Sequence, residues 1–155
     1  MKINGFDSSE WRARLLAYAP LFLWIALVLG LSFGEASMSE TSRIIRPLLK
    51  FLFPNAPEAT ITAYHAFIRK SAHFTEYAIL AVLLSRALRV WVEKFWRRVA
   101  LTLAPAMIFA AADELHQSFV ASRTASLGDV LLNCSGALFG LMICATTWKR
   151  NSTWE

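Results

Sequence analysis

Four long apolar runs, separated by short charged stretches, set the plan of this chain. The first, Leu15 to Phe33, carries no charge. A bilayer core of about 30 Å takes about 20 helical residues to cross, so this run predicts a span. Lys2, Arg12 and Arg14 precede it, as in a signal peptide. The run is longer than the usual apolar region of roughly 7–15 residues, and no A-x-A site follows it, so it reads as a retained span. Ser8, followed by Ser9, Glu10 and Trp11, predicts the cap of a lead-in helix on the inner surface. Pro20 sits near the start of the span, where a kink is tolerated.

From Gly34 to Pro57 the pattern changes. Ser37, Ser39, Thr41 and Ser42 make a polar start, after which Ile44, Ile45, Leu48, Leu49, Phe51, Leu52 and Phe53 alternate with Arg43, Arg46 and Lys50. This predicts an amphipathic stretch in the interface plane, broken by Pro47 and ended by Pro54. Asn55-Ala56-Pro57-Glu58 is a helix start, with proline in the first turn and an acid beside it. The second long helix is expected from Pro57 to Trp91, with its apolar part from Ala72 to Leu88. The third span is Val99 to Val120 and the fourth Gly128 to Trp148, closed by Lys149 and Arg150. Ser126-Leu127-Gly128-Asp129 opens the fourth as a capping box with aspartate in the glutamate position. Gly136 and Gly140 form a small-xxx-small face, suited to contacts within the bundle or between copies of the chain, the latter making a homo-oligomer. The expectation is an all-α membrane protein: a four-transmembrane-helix bundle with an amphipathic interfacial segment between helices 1 and 2. It forms one domain over residues 1–155, with spans near 15–33, 72–90, 99–120 and 128–148.

Composition agrees with this plan. The chain is 56% hydrophobic and only 17% charged, against about 25% charged for a soluble domain. Its net charge of +5 could mean nucleic acid, but no nucleic-acid motif is present, and in so apolar a chain anionic lipid is the better partner. Cys134 and Cys144 fall in one apolar run. On a helix they stand about 15 Å apart along the axis, too far to pair. They read as apolar fillers.

Lysine and arginine set the orientation. With both termini in the cytoplasm, the inner segments hold ten of them and the outer segments six. This predicts a multi-pass protein of the bacterial inner membrane. Trp91, Trp96 and Trp148 then fall at the inner boundary, as an aromatic belt.

Several polar residues interrupt the spans. A charge at the centre of a span costs about 2.5–3.5 kcal/mol on insertion scales, so each is a candidate for function. Arg69, His73, Glu76 and Tyr77 share one face of the second helix; Asp113, His116 and Gln117 share one face of the third; Asp129 and Asn133 lie a turn apart on the fourth. All three sets fall at the outer third of the membrane, with Lys70 and Arg123 just above. Arg69, Lys70 and Arg123 suit a phosphate or carboxylate. His73 or His116 suits acid–base work, oriented by Glu76 or Asp113. Tyr77, Gln117, Asp129 and Asn133 complete the substrate-binding set. The i, i+3 pairs His73/Glu76 and Asp113/His116 could instead ligate a divalent metal. No HExxH-type motif supports that, so no metal or other cofactor is assigned. His65 reads as a surface residue, and Glu114 as turned away from Asp113 toward Arg123 or headgroups. Arg69 and Lys70 could equally snorkel at a helix end, and Asp129 could be a cap alone.

These same residues carry a resemblance. Arg69-Lys70-Ser71-Ala72-His73-Phe74-Thr75-Glu76-Tyr77, Asp113-Glu114-Leu115-His116-Gln117-Ser118-Phe119, Arg123, Gly128-Asp129-Val130-Leu131-Leu132-Asn133 and Gly136 resemble, in this order, the VanZ-like family. The likeness covers roughly residues 15 to 146. It departs from the family pattern at Ala121-Ser122, where members often carry Pro-Gly. It implies a small integral membrane protein of a family named for a component linked to glycopeptide (teicoplanin) resistance. Three readings stay open. The chain could process a phosphorylated lipid as a membrane-embedded hydrolase. It could bind an anionic envelope lipid or cell-wall precursor headgroup without turnover. It could be a scaffold whose polar network only fixes helix packing.

Overall fold

The computed structural model describes residues 8–33, 38–119 and 126–151. Among them are five helices and no strand: α1 Ser8–Phe33, α2 Met38–Leu52, α3 Glu58–Leu88, α4 Phe95–Ser118 and α5 Leu127–Asn151. The all-α expectation holds. α1 begins at Ser8 and runs on without a separate lead-in helix. α2 is unbroken through Pro47, contrary to expectation, and ends before Pro54. The proline forfeits one backbone hydrogen bond, and the ion pairs and buried leucine described below hold the helix in place.

Pro57 stands as the N-cap of α3 rather than in its first turn, with φ −58° and ψ 150°. Its carbonyl accepts from the amides of Thr60 at 2.9 Å and Ile61 at 3.1 Å. The helix stops at Leu88, three residues short of the expected Trp91, and the chain turns with the Trp91 and Val92 amides on the Leu88 carbonyl, at 3.0 and 2.8 Å. At 31 residues, α3 is about 46 Å long, longer than a hydrocarbon core is thick. Its first turns therefore extend past the bundle, and α2 packs there. Arg46 and Lys50 of α2 both pair with Glu58, Leu49 is buried, and the rings of Phe53 and Tyr64 lie 5.4 Å apart.

α3 is the hub and touches every other helix. A Cβ built on Gly136 would collide with the Phe74 carbonyl, and one on Gly140 with the Ala78 carbonyl. Both steps are of four residues in the same direction, so α3 and α5 run parallel with their backbones in close approach. The glycine pair thus serves the contact within the bundle. The Trp24 indole donates to the Glu76 carbonyl at 3.0 Å, and Trp91 donates to the Tyr18 hydroxyl. α1 is therefore antiparallel to α3. α4 packs on both α3 and α5, with Val99, Leu103 and Ala106 against Ala81, Ala137 and Leu141. A second cluster joins Leu21, Tyr77, Leu80, Ala87 and Ala110.

The surface is inverted relative to a soluble bundle. Leu23 is 72% exposed, Ile108 70% and Leu131 70%, whereas Glu114, Thr102 and Asn133 are buried. Apolar area on this scale marks a surface that lipid or another protein covers. Among the described residues two helices are long and apolar enough to cross a membrane, Phe95–His116 and Leu127–Thr146, with mean hydropathies of 1.3 and 1.7. α1 contributes a shorter apolar segment, Arg14–Gly30. Both cysteines are free.

Candidate functional site

The alternating directions of α3, α4 and α5 bring three predicted polar sets to one end of the bundle. α5 starts beside the middle of α3. There Asp129 lies 3.9 Å from the Arg69 guanidinium and 3.7 Å from the Lys70 ammonium. These are ion-pair distances rather than hydrogen bonds. One carboxylate thus faces two cations, which leaves the rim net positive. One turn deeper on α3, His73 Nδ1 stands 3.4 Å from Glu76 Oε2. Both side chains are about one-fifth exposed, at 22% and 21%. Glu76 is steadied from behind, since its carbonyl receives the Trp24 indole.

Tyr77, 1% exposed, lies at the floor, with its ring 6.3 Å from that of Phe109. That ring contact joins α3 to α4. Asn133, 2% exposed, completes the floor from α5. Asp113 and His116 are half-buried on α4, each with an interaction of its own. Gln117 lies on α4, but its side chain is outside the described residues, as is Arg123 altogether.

Two residues set aside on the sequence take unexpected places. Glu114 does not face headgroups. It is 6% exposed, and its Oε1 accepts the Ser126 amide at 2.6 Å. In a capping box the fourth residue's own side chain would return to that amide. Here Glu114 of α4 does so, Ser126 Oγ accepts the Gly128 amide at 3.1 Å, and Asp129 turns to Arg69 and Lys70. A signal existed: an acid in the last turn of a helix faces the unfavourable end of the dipole and needs a donor from elsewhere. His65, expected at the surface, is 4% exposed. It lies one turn from the buried Ile61 in the first turns of α3, a burial that its local sequence does not announce. Trp24 was also missed; a tryptophan in the middle of a long apolar run requires a partner for its N–H.

Four buried polar atoms at this end have no hydrogen-bond partner among the described residues: His73 Nδ1, Tyr77 Oη, Asp129 Oδ1 and Asn133 Oδ1. Among the described residues no three His, Cys, Asp or Glu side chains gather as a metal set.

Residues 15–149 match the family described as VanZ/LLP1. The chain belongs to the VanZ/LLP1 family. The match takes in every helix that lines the cluster and bears out the resemblance read from the residues. No curated protein and no solved structure matches the chain. In this VanZ/LLP1 protein the apolar exterior, two span-length helices and family membership together indicate a membrane protein. The polar cluster follows the order of the motifs from α3 through α4 to α5.

Proposed function

We propose that this protein crosses the bacterial inner membrane four times, with both termini cytoplasmic. On this reading the α3–α4–α5 cluster binds the anionic headgroup of an envelope lipid or lipid-linked cell-wall precursor at the outer leaflet. The supporting observation is the set of buried polar atoms from α3 and α5 that make no hydrogen bond among the described residues, beside a net-positive rim of Arg69, Lys70 and Asp129. Buried polar groups are ordinarily satisfied. A network that served packing alone would pair these atoms with one another. A headgroup offers them donors and acceptors together, while Arg69 and Lys70 take its phosphate in exchange for Asp129.

The His73–Glu76 pair adds a second capacity. An imidazole held by a carboxylate can take or deliver a proton at headgroup depth, so the same pocket can process a bound phosphorylated lipid. The test uses the purified full chain in zwitterionic nanodiscs titrated with phosphatidic acid. Saturable binding is expected, weakened tenfold or more by Arg69→Ala, the loss of a charge-assisted contact. Phosphate release lost in His73→Ala would add processing. Equal affinity of Arg69→Ala and the natural chain would refute the headgroup reading.

A further inference from the structure

The opposite end of the bundle holds a second charged feature that the proposed site does not use. Between α3 and α4 lies an open pocket of about 670 Å³, lined by Val90, Trp91, Glu93, Lys94, Arg97 and Leu101 among others. This volume is in the usual range for small-molecule sites, roughly 300–1,000 Å³. It belongs to the inner end on the four-span reading, since Trp91 bonds Tyr18 near the start of α1 and Arg14 lies over its ring at 5.1 Å.

Charge here is arranged against the ordinary preference of a helix start. The first turn of α4 contains no acid, although acids are favoured at that positive end. Instead Lys94 precedes the helix, and Arg97 and Arg98 fall in its first turn. Arg98 is buried and donates to the Val92 carbonyl at 3.4 Å, tying down the corner. Lys94 and Arg97 are exposed and, among the described residues, make no ion pair. Glu93 is the one acid in the pocket wall. The other wall is apolar and exposed: Trp91 at 64%, Leu101 at 49% and Val90 at 45%. A concave site with two cations, a helix's positive end beside them and exposed apolar residues in the same lining matches a molecule with a phosphate at one end and hydrocarbon at the other.

We infer that the α3–α4 corner binds the phosphate-bearing headgroup of an anionic phospholipid, with Lys94 and Arg97 on the phosphate and Trp91 and Leu101 along the first carbons of its chains. Free phosphate would use the cations alone, and the apolar wall favours lipid. This site is separate from the outer cluster in residues and in depth.

The full chain in phosphatidylcholine nanodiscs, titrated with phosphatidylglycerol and read by native mass spectrometry, tests the assignment. Each basic residue near an anionic surface contributes about fivefold in affinity, so K94A/R97A is expected to weaken retention about thirtyfold and Glu93→Gln to strengthen it about fivefold. All the altered side chains in the corner are exposed, and the opposite shift expected of Glu93→Gln is not one that misfolding produces. Equal retention by the natural chain and K94A/R97A would overturn the inference. Full displacement by inorganic phosphate at matched concentration would overturn the lipid assignment.

Discussion

A methyl group is enough to separate α3 from α5. Gly136 and Gly140 have the carbonyls of Phe74 and Ala78 where a Cβ would go, whereas Gly30 has nothing within 4 Å. Alanine at Gly136 or Gly140 must push two helix backbones apart, and overpacking of this kind costs about 1–3 kcal/mol. At Gly30 the same change is expected to be neutral or to stabilise by roughly 0.5–1 kcal/mol, since alanine loses less backbone freedom in a helix. Thermal unfolding of the three variants in one detergent separates these outcomes. Glu114 makes a second case. Glu114→Ala leaves the partly buried Ser126 amide unpaired, at a cost of about 1–3 kcal/mol. Faster hydrogen exchange at Ser126 is expected, with Glu114→Gln retaining most of the protection because an acceptor remains. The facing of His73 and Glu76 was legible from i, i+3 spacing alone. The role of Glu114 was not, because its partner is twelve residues away, just before the next helix.

Among the elements, α2 shows how a segment outside the bundle is held. Its apolar side leaves Ile44 75% and Phe51 81% exposed, so that only part of it rests on α3. The remainder fits the interfacial placement expected from its pattern. Part of the link to α3 is electrostatic: the Lys50 ammonium, and after it the Arg46 guanidinium, hold the Glu58 carboxyl below its ordinary range. A carboxyl depressed in this way stabilises the folded arrangement above its ordinary value of 4.5 and loses that contribution as the pH falls through the lower, folded one. Hydrogen exchange in α2 is therefore expected to rise as the pH drops below about 4.5, after correction for the intrinsic rate. Glu58→Gln is expected to show raised exchange already at neutral pH and no further step in acid. Because Glu58 is exposed, added salt is expected to mimic the substitution in part.

For the whole molecule, the question is which way the bundle sits. α3 parallel to α5, with α1 and α4 antiparallel to them, is the order that four successive crossings produce. Cysteine labelling in intact cells, in a variant lacking Cys134 and Cys144, tests the orientation. Asn55→Cys is expected to react with an impermeant maleimide from outside and Glu93→Cys only after permeabilisation. The reverse pattern would place the Arg69–Asp129 cluster at the inner leaflet and remove the outer-leaflet reading.

Read alone, the sequence determined the helices, their approximate limits and the residues too polar to be in lipid. Periodicity, hydropathy and the cost of an isolated charge act locally, and they leave their mark on each segment separately. The tertiary structure decided the partners. That Asp129 answers Arg69 and Lys70, that Glu114 of one helix caps the next, that His65 is buried and that the glycine pair of α5 packs against α3 all depend on how close and in which direction two helices pass. Those distances are set by packing between residues far apart in the chain, and no single stretch of sequence records them.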